Sequence, residues 1–341
     1  MRAYHLEATR PDAVRLDTLR LVDAPPPRPA AGEVLVRLRA ASLNYVDLAV
    51  ATGAFPAPLP LIPVTDGAGE VLETGPGVTG LKTGDRVIPH FLPDWSADSL
   101  PPVTGRRMRG ITMPGSLADL VAVPAASLVP VPEHLSFTEA ATLPIAATTA
   151  WRAVRTGAVR PGSTVLLLGT GGVSLFALQF AKASGARVII TSSSDAKLER
   201  AKALGADETI NYRAIPDWDA RVLELTGGAG ADLVVETGGA QTFARSLNAA
   251  AIEGTVFTVG FLSGDGLQTS LFPIILKMLK VVGSNTGSVA DLREAVGAVA
   301  SAGLRPVIDR VHGFEDAAGA YATLARGGHF GKIAISLDDG R

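Results

Sequence analysis

Two stretches of this chain have the residue types and spacing to do chemistry. The first is Gly169-Thr170-Gly171-Gly172-Val173-Ser174, which lies between an apolar run, Thr164–Leu168, and a helical pattern, Val173–Ser184. Strand, glycine turn and helix in that order form the phosphate cradle of a dinucleotide site. Gly169 permits the tight turn, and Gly171 removes the Cβ that would block a pyrophosphate. Gly172 and Val173 open the helix, whose unpaired N–H groups and dipole favour an anion. The third position of the fingerprint is Ser174 instead of glycine, which sets helix and strand slightly further apart. The second stretch is the end of the next strand, Thr191-Ser192-Ser193-Ser194. A site for NAD usually has a carboxylate there to bind the ribose diol. Here Asp195 arrives two residues late, and small hydroxyl residues leave room for a 2′-phosphate. Lys197, one helical turn on, can reach back to it as a point charge. The chemistry implied is that of a nicotinamide dinucleotide, with NADPH expected.

Other chemistries are excluded by what is missing. The chain has no cysteine, hence no disulfide, no thiolate nucleophile and no Cys-containing zinc site. Its five histidines, His5, His90, His134, His312 and His329, have no ligand spacing.

These groups need elements to position them. Glu33–Arg39 alternates apolar and polar residues, as in a half-buried strand, and Asp66–Glu73 and Arg86–Pro89 follow as strands. The character changes near Pro130. Thr164–Leu168, Val188–Thr191, Asp232–Glu236, Thr255–Val259 and Leu279–Gly283 read as short apolar strands, with helices over Val173–Ser184 and Ala196–Leu204 between the first of them. Such alternation predicts a parallel sheet covered on both faces. A helix from Asp291, another over Phe314–Leu324 and a last strand, Lys332–Ser336, complete the chain. With 341 residues, 47% hydrophobic and 19% charged, two domains with full cores are expected. The formal charge of −2 points to neither nucleic acid nor a membrane surface as partner. Met1–Val14 has no signal-peptide core and no run is apolar enough to span a bilayer, so a cytoplasmic location is expected.

The chain resembles the medium-chain dehydrogenase/reductase superfamily over nearly its whole length. The resemblance is carried by Gly32-Glu33-Val34-Leu35-Val36, Ser42-Leu43-Asn44-Tyr45-Val46-Asp47 and Asp66-Gly67-Ala68-Gly69-Glu70-Val71. It continues in Gly84-Asp85-Arg86-Val87, Gly115-Ser116-Leu117-Ala118-Asp119, the glycine loop and Gly328-His329-Phe330-Gly331-Lys332. It implies an α/β fold: a doubly wound parallel Rossmann sheet plus a β-rich, GroES-like catalytic domain. We expect the catalytic domain over 1–126, completed by 283–341, and the NADP-binding domain over 127–282, commonly as a homodimer. The strand Leu279–Gly283 is expected at a sheet edge that pairs with a second copy.

Zinc enzymes of the superfamily need a Cys and a His–Glu pair; here those regions read Ser42-Leu43-Asn44 and Thr65-Asp66, so no metal is expected. The quinone oxidoreductase branch is the most similar. Asn44 and Asp47 match its N-x-x-D motif, Thr149 its threonine beside the cofactor, and Ser193, Lys197 and Tyr212 its 2′-phosphate contacts. Gly260 and Phe261, just beyond the strand Thr255–Val259, join the expected cofactor contacts. Ala49 stands where that branch has an aromatic residue, which points to a different pocket shape.

Without a metal, an isolated carbonyl needs a strong positioned proton donor. A quinone or an α,β-unsaturated ketone or aldehyde is easier, because hydride addition spreads charge over a phenolate or enolate. The function expected is NADPH-dependent hydride transfer to such an acceptor. Tyr45 is the candidate to hydrogen-bond the substrate oxygen, since a phenol donates, and Asn44 stands beside it. Asn44 and Thr149 are expected to orient the cofactor, and Asp47 to hold the loop. Phe91 and Trp95 are candidates to line the pocket, and Arg106, Arg107 and Arg109 to attract an anion. Two other readings are a zinc-free aldehyde or ketone reductase and a non-catalytic NADPH-binding protein.

Overall fold

The structure, a computed structural model, describes residues 1–11, 16–97 and 100–338. It divides into two compact units, Met1–Thr148 with Gly287–Arg341, and Thr149–Thr286. The chain first forms β1 (Arg2–Leu6), β2 (Leu19–Asp23), β3 (Glu33–Leu43), β4 (Asp66–Thr74), β5 (Arg86–Pro89), β6 (Leu120–Pro124) and β7 (Leu128–Pro130). The second unit holds β8 (Thr164–Leu167), β9 (Arg187–Ser192), β10 (Glu208–Asn211), β11 (Ala231–Glu236), β12 (Ala250–Thr258) and β13 (Lys280–Gly283). The chain then returns to the first unit with β14 (Ile308–Gly313) and β15 (Lys332–Ser336).

The first unit is built around β3. Its sheet runs β14-β15-β3-β4-β5-β7, with β6 also on β3. Glu33–Arg37 pairs with β6 and Ala40–Leu43 with β15, while β4 follows β3 along most of its length. The strand extends four residues beyond the alternating stretch because Ala40–Leu43 is buried throughout and shows no alternation. Register fixes what matters for chemistry. Leu43 lies opposite Ile333, and Ser42 opposite Asp66. The ends of β15, β3 and β4 therefore place Lys332, Asn44 and Thr65-Asp66 side by side.

The second unit is a parallel sheet in the order β10-β9-β8-β11-β12-β13. Val165, Leu166 and Leu167 of β8 are fully buried, as a strand covered on both faces requires. Strand order reverses at β8, and the carboxyl end of such a switch strand is where open α/β sheets bind ligands. The glycine loop leaves β8 at that end. β13 lies at the sheet edge, where the sequence placed Leu279–Gly283.

The first boundary falls after Thr148, later than the expected 126. β7 pairs with β5, and the Ile145 N–H donates to Asp66 Oδ2 at 3.2 Å, which ties this segment into the first unit. The shift in composition near Pro130 marks the end of β7, not the end of a domain. The second boundary falls after Thr286, past the expected 282, because Ser284 N–H still bonds the Thr258 carbonyl at 2.9 Å.

Candidate active-site residues

In the second unit the residues expected to bind a dinucleotide lie beyond the carboxyl ends of β8, β9 and β10. Gly169 has φ of 71°, the left-handed turn that glycine allows. Gly171 caps the helix Gly172–Ala183 with φ −80° and ψ 179°, a conformation open to any residue. A Cβ built there meets no heavy atom within 4 Å. Neither backbone strain nor packing explains the glycine, whereas close approach of a ligand does. The first N–H groups of the helix, including those of Gly172 and Val173, have no intrahelical acceptor. A pyrophosphate fits this cradle. Ser174 is buried and its Oγ donates to the Leu168 carbonyl at 2.8 Å, spanning the helix–strand gap that a third glycine would close.

At the tip of β9, Ser193 is half-buried and Ser194 caps the helix Asp195–Ala203, with Lys197 in its first turn. Tyr212 follows β10, its N–H donates to the Ser192 carbonyl at 3.0 Å, and its ring is exposed. Pairing of Asn211 with Ser192 brings Tyr212 to the same sheet end as Ser193. The Asp195 carboxylate accepts from Asn211 Nδ2 at 2.7 Å and is thus directed at a protein partner.

Gly260 is glycine because a Cβ would sit 2.0 Å from the Thr237 carbonyl oxygen; its backbone packs against its neighbour. Phe261 beside it is exposed and Thr149 is buried. Glu236, which sequence reasoning passed over, organises this end of the sheet. Its buried carboxylate accepts the N–H groups of Gly238 at 2.7 Å and Gly239 at 2.9 Å, the Thr242 hydroxyl at 2.7 Å, and the Ser246 hydroxyl. The signal for it was a carboxylate ending an apolar strand before two glycines.

In the first unit, Tyr45 opens the helix Tyr45–Thr52 and is 39% exposed. Asn44, before it, is held on both sides. Its Nδ2 donates to Thr65 Oγ1 at 3.1 Å and Asp66 Oδ2 at 2.8 Å, and its Oδ1 accepts from Lys332 Nζ at 2.5 Å. Asp47 accepts the Asn44 N–H at 2.7 Å and the Thr65 N–H at 2.8 Å, the loop-holding role expected of it. Burial raises the carboxyls of Asp47 and Asp66, the latter to about 6 against the pull of Lys332. Burial likewise lowers Arg109 to about 10, opposed by Asp66.

This donor set does not fit zinc. The residues at the metal-ligand positions are an amide whose N–H groups turn into the cluster, a hydroxyl and a carboxylate, closed by an ammonium. Among the described residues no group of three or more His, Cys, Asp or Glu side chains is arranged to hold a metal. His90 Nδ1 accepts the Leu92 N–H at 3.0 Å, and burial pushes its imidazole down to about 4; His312 pairs with Asp316 at 2.7 Å.

Two expectations are corrected here. Phe91 and Trp95 are buried in the core of the first unit instead of lining a pocket. The three arginines form no anion-attracting patch. Arg106 donates to the Pro101 carbonyl, Arg107 pairs with Asp94, and Arg109 turns inward, fully buried, to Ser116 Oγ at 2.9 Å.

Comparison with known proteins agrees with this layout. Residues 30–133 match the alcohol dehydrogenase GroES-like domain, and residues 172–301 the zinc-binding dehydrogenase domain. A zinc-type alcohol dehydrogenase-like protein of Schizosaccharomyces pombe is 41% identical, over 90% of this chain and 91% of its own. Crotonyl-CoA reductase of Streptomyces avermitilis is 30% identical, over 93% and 82%. Among solved structures, an NAD-dependent alcohol dehydrogenase is 37% identical with a TM-score of 0.89, covering 99% of this chain and 100% of its own. A quinone oxidoreductase of Pseudomonas syringae pv. tomato is 30% identical with a TM-score of 0.82, covering 98% and 99%. A 2-octenoyl-CoA carboxylase reductase, solved with NADP and 2-octenoyl-CoA, is 28% identical with a TM-score of 0.88, covering 99% and 88%.

Proposed function

The chain belongs to the medium-chain dehydrogenase/reductase family and is an oxidoreductase, and we propose that it uses NADPH to reduce a conjugated carbonyl acceptor, a quinone or an α,β-unsaturated ketone or aldehyde, without zinc. One observation carries this reading. The residues at the metal-ligand positions, Asn44, Thr65 and Asp66, are hydrogen-bonded to one another through the Asn44 amide, and the Lys332 ammonium bonds the same amide from its other side. A site without a Lewis acid favours acceptors that spread the charge themselves. Resemblance to a quinone oxidoreductase and to a crotonyl-CoA reductase supports the same acceptor class. A bound NADPH supplies the hydride. Tyr45 donates a hydrogen bond to the substrate oxygen as charge develops there, and solvent supplies the proton that completes the reduction, to carbon for an enolate and to oxygen for a phenolate. The similarity to an NAD-dependent alcohol dehydrogenase favours one runner-up, reduction of simple aldehydes or ketones.

NADPH is proposed because Ser193, Lys197 and Tyr212 gather at one sheet end with Asp195 engaged by Asn211. A charge-assisted hydrogen bond contributes roughly 1.5–3 kcal/mol. Lys197→Ala should therefore weaken NADPH binding about ten- to a hundredfold and leave NADH nearly unaffected, as read by fluorescence titration. Equal affinity of the unaltered protein for both cofactors would sink the assignment, as would an equal loss for both in the variant.

We also propose a homodimer formed along β13. This edge strand exposes Val281, and the adjoining segment exposes Leu271, Phe272 (71%), Ile275 and Leu276 (74%). An apolar sheet edge of this kind pairs with another chain. Light scattering at micromolar concentration should give twice the chain mass of 35.1 kDa, and a monomer would contradict the pairing.

A further inference from the structure

Lys332 does something that neither the cofactor loop nor Tyr45 explains. It stands at the start of β15, its side chain is buried, and its ammonium donates to the Leu43 carbonyl at 2.6 Å and to Asn44 Oδ1 at 2.5 Å. Burial lowers its proton affinity, opposed by the nearby Asp66 and Asp47 carboxylates. A buried ammonium is costly unless every donor finds a partner. In a strand otherwise composed of Ile, Ala and Ser, an apolar residue would cost less.

The partners show what the charge achieves. An ammonium can only donate and a carboxylate can only accept. Between Lys332 and Asp66, the Asn44 amide has a single orientation, with oxygen toward the lysine and nitrogen toward Asp66 and Thr65. Both N–H atoms of the amide are then consumed. What Asn44 retains is acceptor capacity on Oδ1, so it meets a hydroxyl or an amide N–H and cannot donate to a developing oxyanion. Lys332 also grips the Leu43 carbonyl, so both residues before Tyr45 are tied to β15.

We propose that Lys332 is a positioning residue: its ammonium locks Asn44 as an acceptor and anchors the turn that presents Tyr45, leaving Tyr45 to donate to the substrate oxygen. The functional half of this statement rests on the proposed role of Tyr45 and on the cofactor-orienting role expected of Asn44. The structural half does not.

The test uses Lys332→Met, which keeps the length and removes the charge, and Lys332→Arg, which keeps the cation. The chain has only four asparagines, so the side-chain amide of Asn44 can be followed in protein labelled with amide-¹⁵N asparagine. In the unaltered protein its Nδ2 protons should exchange with water at least about ten times more slowly than in Lys332→Met. The kcat with a quinone or enone should fall about ten- to a hundredfold in Lys332→Met, the Kd for NADPH should change less than about twofold, and Lys332→Arg should regain part of the loss. A folded Lys332→Met with unchanged exchange and unchanged kcat overturns the proposal. Should that variant fail to fold, exchange in the unaltered protein decides, since Asn44 protons exchanging as fast as those of a solvated asparagine contradict the lock. If the unaltered enzyme reduces no conjugated acceptor while the exchange difference holds, the acceptor reading fails and the lock stands.

Discussion

Gly171→Val is expected to abolish dinucleotide binding while leaving the fold intact. The backbone at Gly171 is extended, so valine fits it without strain, and its Cβ meets no protein atom within 4 Å. The side chain would start in the open space before the helix Gly172–Ala183, where we propose that the pyrophosphate binds. Displacing the pyrophosphate forfeits at least two charge-assisted hydrogen bonds of roughly 1.5–3 kcal/mol each, so affinity should fall by more than about a hundredfold. Titration of protein fluorescence with NADPH measures this, and thermal unfolding without ligand serves as the control. Gly260→Val offers the contrast. There the new Cβ meets the Thr237 carbonyl oxygen at 2.0 Å, so the variant should lose stability first and binding as a consequence. Retained affinity in a folded Gly171→Val protein would remove the loop from the cofactor site.

The sequence revealed these two sites unequally. The second unit was legible because its central strands are buried on both faces and read as short apolar runs, as in Thr164–Leu167. β10 and β14 escaped notice because they are edge strands, with sequences ETIN and IDRVHG that are half polar and largely unburied. The glycine loop carries its meaning in six consecutive residues, Gly169 to Ser174. The cluster in the first unit does not, because Asn44 and Lys332 are 288 positions apart and meet only through the pairing of β15 with β3. Asn44, Tyr45 and Asp47 could be picked out locally, but nothing local shows that an ammonium fixes the Asn44 amide. Adjacency also misled. Arg106, Arg107 and Arg109 form one basic run in the sequence, yet the chain turns between them and sends each to a different partner.

Selectivity for the acceptor is the second large effect expected. A saturated aldehyde concentrates the incoming charge on one oxygen, and Tyr45 is the single donor assigned to it. A well-aimed oxyanion donor contributes 10²–10³ in rate, so the proposed site, zinc-free and with Tyr45 as its one assigned donor, should forfeit about that much on a saturated carbonyl. Conjugated acceptors do not need the missing group. The most direct test is the steady-state oxidation of NADPH by the chelator-treated enzyme, with a quinone, an enone and a saturated aldehyde supplied in turn. Turnover should survive chelation, with kcat/KM for the quinone or enone exceeding that for the saturated aldehyde by at least about a hundredfold. Equal or faster reduction of the saturated aldehyde, or activity that disappears on chelation and returns with zinc, would contradict the account.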